Sequence, residues 1–138
     1  MKVHTTNYQD TFIQVADDSP ARQGEVPPQR GAEKSVANIQ FEMISENPYK
    51  YTSDDVVFEA YAVKNGINKS ELPAEREKFF SKGQPCMRAS PLTKRYGWGI
   101  HSDSDGKIAA YAVDSQEYAE HTADKGLDIV KAMRSKRA

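Results

Sequence analysis

The residues best suited to binding chemistry lie in a stretch without acidic side chains, which runs from Lys78 to Ser102. Cationic and aromatic residues alternate there, and the motif Arg88 to Gly99 places Trp98 between two glycines. Arginine and lysine attract anions, aromatic rings stack, and glycine lets a ligand approach the backbone. This pattern predicts a binding site for an anionic small molecule or partner. Its candidate residues are Cys86, Arg88, Lys94, Arg95, Tyr96, Trp98 and His101.

The same stretch leaves two other interpretations open. Its aromatic residues could belong to the core while its cations line a solvated edge. Interleaved cations and aromatic rings also suit single-stranded nucleic acid. The net charge of −1 argues against nucleic acid without excluding it.

Cys86 supports an alternative in which the protein is a small enzyme. Arg88 and Lys82 lie close to it in the sequence, and cations stabilise a thiolate. A cysteine nucleophile also needs a base, and His101 is the histidine nearest along the chain. The competing interpretation is that Cys86 is a small buried hydrophobic residue.

The sequence predicts neither a metal site nor a cofactor. The three histidines are His4, His101 and His121, far apart and without zinc-binding spacing. The segment 103–107 is similar to part of a calcium loop. Its alignment would place His101 and Ala112 where carboxylates are required.

Length and composition indicate one domain, over 1–138, in the cytoplasm. A chain of 138 residues has the usual size of a single domain. One cysteine cannot form an internal disulfide. No apolar run is long enough to span a membrane, and the N-terminus lacks the apolar core of a signal peptide. The oligomeric state stays open.

The first half of the chain predicts two strands, a long loop and a helix. Residues 11–16 read as a strand, and apolar spacing predicts a helix over 32–46. Between them, about 18–32 form a proline-rich loop that carries Arg22 and Arg30 and could cover the site as a lid. Residues 56–63 are rich in β-branched and aromatic residues and predict a second strand, although 53–55 would also cap a helix.

The second half predicts a helix, a hairpin and a final helix. Acidic residues at the start and Lys82-Gly83 at the end bound a helix over 70–82. Alternating residues over 96–101 and 107–113, separated by an aspartate- and glycine-rich loop, predict a β-hairpin. An apolar stripe predicts a helix over 115–135, with a frayed basic tail at about 134–138.

This order of elements indicates an α+β fold. The hairpin must be antiparallel, so we expect a mixed, mainly antiparallel sheet with a C-terminal hairpin. About three helices should cover it, on one face.

Several motifs resemble those of an uncharacterised bacterial family of about this length, classed as a domain of unknown function. They are NPYKYTSDDV (47–56), RASPLTKRYGWGIHSDSDGKIAAYAV (88–113), and the early FIQVADDSP and VPPQRG. The resemblance covers nearly the whole chain and implies no activity. The order of elements is also distantly similar to the small α+β proteins of the YdhG and YjbR type, a likeness of fold alone.

Overall fold

A four-stranded sheet forms the centre of the protein, and a computed structural model describes it within residues 3–135. The strands are β1 (Thr11–Gln14), β2 (Trp98–Ser102), β3 (Ile108–Ala112) and β4 (Asp128–Lys131), in the order β3-β2-β1-β4. Strand β1 is antiparallel to β2 and parallel to β4. The predicted α+β class with a mixed, mainly antiparallel sheet is therefore confirmed.

The predicted hairpin is formed by β2 and β3. Trp98 pairs with Ala112, and Ser102 pairs with Ile108. Gly106 closes the turn with φ of +79°, a left-handed conformation that favours glycine. The register places Gly99 opposite Tyr111. Along each strand, successive side chains alternate between the two faces of the sheet.

One face of the sheet packs on the main hydrophobic core. Ile13, Ile100 and Ile108 are buried there. They pack with Ile44 of helix α1 (Val36–Glu46), Val56 of α2 (Ser53–Lys64) and Leu92 of α4 (Pro91–Lys94). These three helices therefore pack on this face of the sheet.

Helix α1 confirms the predicted helix but begins at Val36 instead of residue 32. Ser35 accepts a hydrogen bond from the backbone N–H of Asn38, whose side chain accepts from the backbone of Ser35 in return. This reciprocal capping box stabilises the first turn, so the helix begins directly after Ser35.

The strand predicted over 56–63 is wrong, because this segment belongs to helix α2. Thr52 caps the helix through the N–H of Asp55, and the Asp55 side chain accepts from the backbone of Thr52. The helix buries Val56 and Ala60 along one side. Capping and burial together outweigh the β-propensity of its valines and aromatic residues.

Helix α3 (Leu72–Phe79) is shorter than the predicted 70–82 and follows a 3₁₀ turn at Lys69–Glu71. It packs on α2 around a second small core of Phe58, Ala62 and Phe80. Another 3₁₀ turn, Met87–Ala89, leads into the single turn of α4.

The helix predicted over 115–135 ends early, as α5 (Gln116–Ala123), and the chain continues into strand β4. Asp124 is already extended, and hydrogen bonds of β4 to β1 replace further helical ones. Helix α5 lies on the face of the sheet opposite the main core, where the Tyr118 ring is 5.0 Å from Phe12. The expectation of helices on one face only is therefore wrong. Most of the predicted basic tail, 136–138, lies outside the described residues.

Within residues 3–135, no helix is both long enough and apolar enough to cross a membrane.

Candidate functional site

Three of the predicted site residues line one cavity. Lys94, Arg95 and Tyr96 follow one another at the end of α4 and border a space of about 330 Å³. The first turn of α1 also lines it. We call this space the cationic cavity; its lining is completed by Ser35, Val36, Ala37, Ala89 and Pro91.

The sequence around α4 explains why these side chains reach the cavity. Ser90 caps the helix through the N–H of Leu92, and Pro91 fits its first position. Only one turn follows before Gly97, with φ of +79°, redirects the chain into β2. A Cβ atom at Gly97 would collide with the carbonyl group of Gln23, so both the turn and the close approach require glycine.

Among residues 3–135, two cationic side chains and no acidic side chain line the cavity. Neither Lys94 nor Arg95 forms an ion pair among the described residues. The first turn of α1 contains no acidic residue, and within residues 3–135 no hydrogen bond uses the N–H groups of Val36 and Ala37. Free N–H groups at the start of a helix add partial positive charge.

Further charged residues lie beside the cavity. Tyr96 and Ser35 also border a neighbouring space of about 370 Å³, together with Arg30, Lys64 and Glu33. Its lining contains two cationic side chains and one acidic side chain, so the positive character extends past Tyr96.

Hydrogen bonds hold the proline-rich segment beside this region, where Pro28 and Arg30 border the neighbouring space. The Glu25 N–H donates to the Tyr96 carbonyl oxygen at 2.8 Å, and the Trp98 indole N–H donates to the Glu25 carbonyl oxygen at 2.8 Å. The buried Asn38 side chain donates to the Pro27 carbonyl oxygen, also at 2.8 Å. Trp98 packs on Phe41, with ring centroids 5.1 Å apart. Trp98 therefore holds the segment in place and does not line the cationic cavity.

Arg88 and Cys86 lie away from the cationic cavity. The Arg88 Nε donates to the Lys131 carbonyl oxygen at 2.6 Å, which ties Arg88 to β4. The Cys86 Sγ lies 3.5 Å from the Tyr8 hydroxyl. Burial and the neighbouring thiol raise the pKa of Tyr8.

His101 lies on the α5 side of the sheet. Its Nδ1 lies 2.7 Å from the Tyr49 hydroxyl, and its ring centroid lies 4.4 Å from that of His121 of α5, with the two rings tilted by 43°. Burial, with the second imidazole beside it, lowers the pKa of His101. Cys86 borders α1 and α2 instead, so the structure does not bring Cys86 and His101 together.

The surroundings of His101 form a cluster that the sequence did not predict. The Tyr49 hydroxyl also bonds the Tyr111 hydroxyl at 2.8 Å, and the Tyr111 ring lies 4.7 Å from His121. Tyr49 has φ of +60°, a strained conformation for a bulky residue. Burial and the Tyr111 hydroxyl raise the pKa of Tyr49. Only tertiary contacts assemble this cluster, so sequence spacing gives no signal for it.

A second space of about 320 Å³ adjoins the cationic cavity. The two spaces share Val36, Ala89 and Pro91. We call the second one the apolar groove, because most of its wall is apolar. That wall includes Val57, Ala60, Tyr61, Phe79, Pro85 and Cys86, with Gln40, Lys64, Asn65, Gln84 and Ser90 as its polar members.

Comparison with known proteins places the chain in a family. Residues 3–138 match the model of a family of unknown function, DUF6157. The chain belongs to this family. No curated protein matches it. No solved structure matches it either, so the likeness to the YdhG and YjbR type stays a prediction.

Membership in DUF6157 confirms the expected family of unknown function and assigns no residue a role. The site in this DUF6157 member therefore rests on geometry. Sequence reasoning found Lys94, Arg95 and Tyr96, which are contiguous, but missed Gln40 and the first turn of α1, which only the fold brings to them. The Ser35-to-Asn38 capping pattern was the one local signal for that turn. Within the described residues, no three potential metal ligands are grouped.

Proposed function

We propose that this protein is a non-enzymatic binding module for a small anionic molecule, which it holds in the cationic cavity. The observation that carries the proposal is the pairing of Lys94 and Arg95, which share one cavity and have no ion-pair partner within residues 3–135. A cavity of about 330 Å³ is at the small end of the size range of ligand sites, which is roughly 300–1,000 Å³.

Several groups lining the cavity can bind an anion. The Arg95 guanidinium offers a planar fork of donors that fits a carboxylate or phosphate, and the Lys94 ammonium adds a second charge. Val36 and Ala37 also line the cavity, and their backbone N–H groups make no hydrogen bond within residues 3–135. The Tyr96 hydroxyl has no hydrogen-bond partner within residues 3–135, so it can donate as well.

The proposed site includes fewer residues than the sequence analysis predicts. The Arg88 Nε donates a hydrogen bond to the Lys131 carbonyl oxygen, and the Trp98 indole N–H donates one to the Glu25 carbonyl oxygen. A single strand of nucleic acid needs accessible rings for stacking, and Gly24 of the proline-rich segment covers part of the Trp98 ring. The separate positions of Cys86 and His101 give no support to the enzyme alternative.

Isothermal titration calorimetry with four classes of anion tests this proposal: inorganic phosphate, carboxylates, sugar phosphates and nucleotides. We expect at least one to bind, with an affinity that falls as salt rises. Lys94→Ala and Arg95→Ala should each weaken it by about tenfold, the cost of removing a charged hydrogen-bond partner.

Lys82→Ala is the matched control, because Lys82 belongs to the same acid-free stretch but borders a different space with Glu75 and Lys78. It should leave affinity unchanged. Equal loss in Lys82→Ala and Lys94→Ala would mean that anions respond to general charge, and would overturn the proposal. Absence of binding by every anion would overturn it as well.

A further inference from the structure

The apolar groove contains a buried polar group whose donors no part of the described chain uses. Gln40 is only 5% exposed and lines the groove. Its Oε1 accepts from the Ser90 hydroxyl at 2.6 Å. Within residues 3–135, its amide nitrogen makes no hydrogen bond, yet no fully buried side-chain nitrogen or oxygen there lacks a partner. The Gln40 amide nitrogen therefore keeps access to the space of the groove.

The orientation of the Gln40 amide follows from its neighbour. The Ser90 hydroxyl oxygen already accepts from the Leu92 N–H at 3.1 Å, so the hydroxyl proton is free to donate to Gln40. It donates to Oε1, so the two N–H donors of Gln40 face away from Ser90. An unused donor inside an apolar wall is costly unless a ligand or water accepts from it.

The groove adjoins the cationic cavity. Val36, Ala89 and Pro91 border both spaces, whose volumes are about 330 and 320 Å³. The cationic cavity supplies Lys94 and Arg95. The groove beside it supplies the Gln40 donors and an apolar wall that includes Val57, Tyr61 and Phe79.

We infer that the ligand is an amphipathic anion: an anionic head joined, through a carbonyl or another acceptor oxygen, to an aryl or short acyl body. The inference rests on the function proposed above, since the head occupies the cationic cavity. The acceptor oxygen receives the Gln40 donors, and the body lies against Tyr61 and Phe79. Each of the three parts of the ligand thereby binds a different group of the described residues.

Three carboxylates test the inference by calorimetry on the full chain. Hippurate carries a carboxylate, an amide carbonyl and a phenyl ring; 4-phenylbutanoate has the same length without the amide; acetate is the head alone. We expect 4-phenylbutanoate to bind at least about tenfold tighter than acetate, because the ring leaves water. Hippurate should bind about fivefold tighter still, through the hydrogen bond to Gln40.

Two variants test which residues produce these gains in affinity. Gln40→Met keeps the length of the side chain and should remove the advantage of hippurate over 4-phenylbutanoate without weakening 4-phenylbutanoate. Tyr61→Ala, at a partly exposed wall position, should reduce the advantage of 4-phenylbutanoate over acetate. If Gln40→Met does not fold because Ser90 loses its acceptor, the comparison of the two ligands on the unaltered protein still decides the point.

Failure of this inference differs from failure of the proposed function. If acetate, hippurate and 4-phenylbutanoate bind equally and all depend on Lys94, the anion site stands and the amphipathic ligand is wrong. If hippurate and its neutral amide, hippuramide, bind equally and neither depends on Lys94 or Arg95, the proposed function is wrong, and this inference falls with it.

Discussion

The indole nitrogen of Trp98 lies 2.8 Å from the carbonyl oxygen of Glu25, so the single tryptophan fastens the proline-rich segment to strand β2. Asn38 fastens the same segment to α1 through the Pro27 carbonyl oxygen, while it also completes the capping box of that helix. One buried side chain thus couples the segment to the wall of the cationic cavity.

Replacing Asn38 with alanine should release the segment and weaken α1. We expect a loss of about 2 kcal/mol of unfolding free energy, because a cap and a buried hydrogen bond disappear together. Trypsin should then cut faster after Arg22 and Arg30, which are exposed within the segment. The control is Gln29→Ala, since Gln29 makes only exposed bonds to Gly31 and Ala32. Equal protease sensitivity of the two variants would show that Asn38 does not hold the segment.

Gly97→Ala should be far more costly than alanine at another left-handed glycine. Both Gly97 (φ of +79°) and Gly66 (φ of +61°) strain an alanine, but only Gly97 has an obstacle, the Gln23 carbonyl group. We expect Gly66→Ala to lose about 1 kcal/mol and Gly97→Ala about 3 kcal/mol or more. Urea denaturation of both variants measures the difference. Similar losses would mean that backbone conformation alone matters at Gly97.

The lowered pKa of His101 predicts that acid destabilises the fold. The unfolded chain takes up a proton at the ordinary imidazole pKa of 6.5, whereas folded His101 does so only at lower pH. Burial and His121 hold it down, against the opposing effect of Asp103, Asp10 and Asp124. The contribution of His101 to the free energy of unfolding is complete above the pKa of the unfolded chain. It is lost as the pH falls through 6.5 toward the pKa of folded His101.

Unfolding free energy measured from pH 7.5 to pH 5 checks this expectation. His101→Asn should flatten the slope in that window. His4→Asn serves as the control, because His4 lies beside Gly83 and outside the cluster. An unchanged slope in His101→Asn would assign the acid sensitivity to other groups.

Thr52→Ala should destabilise α2 by about 1 kcal/mol, the usual cost of losing an N-cap. The Thr52 hydroxyl accepts from the Asp55 N–H, and serine at this position can do the same. Thr52→Ser is therefore expected to keep most of the stability in thermal unfolding. Equal losses would point to the packing of the Thr52 methyl group instead of the cap.

The cap at Thr52 also shows where sequence reasoning succeeds and where it fails. Residues 56–63 combine β-formers with a good helix start, and the cap together with the burial of Val56 and Ala60 decides for helix. The hairpin was predicted because its alternation and its glycine turn are local. Strand β4 was missed because a helical stripe runs through it, and only pairing with β1 makes it extended.

The candidate site also contains residues that the sequence predicts and residues that it does not. Lys94 and Arg95 are adjacent in the sequence, so composition alone draws attention to them. Gln40 reaches the neighbouring groove only through the packing of α1 against the turn at Ser90. His101 and His121 meet only because α5 crosses the sheet. Contacts of this kind leave no mark in the spacing of residues.

The position of β1 inside the sheet has a consequence for how the chain folds. Thr11 pairs with Ser102 on one side and with Asp128 on the other, so both neighbours of β1 come from far along the chain. During synthesis this strand stays unpaired until residues 98–102 have left the ribosome, and its second neighbour follows only with residues 128–131. Folds closed by such distant pairings form slowly and expose strand edges while they wait. The helices can assemble earlier, but the sheet is completed only when residues 128–131 arrive.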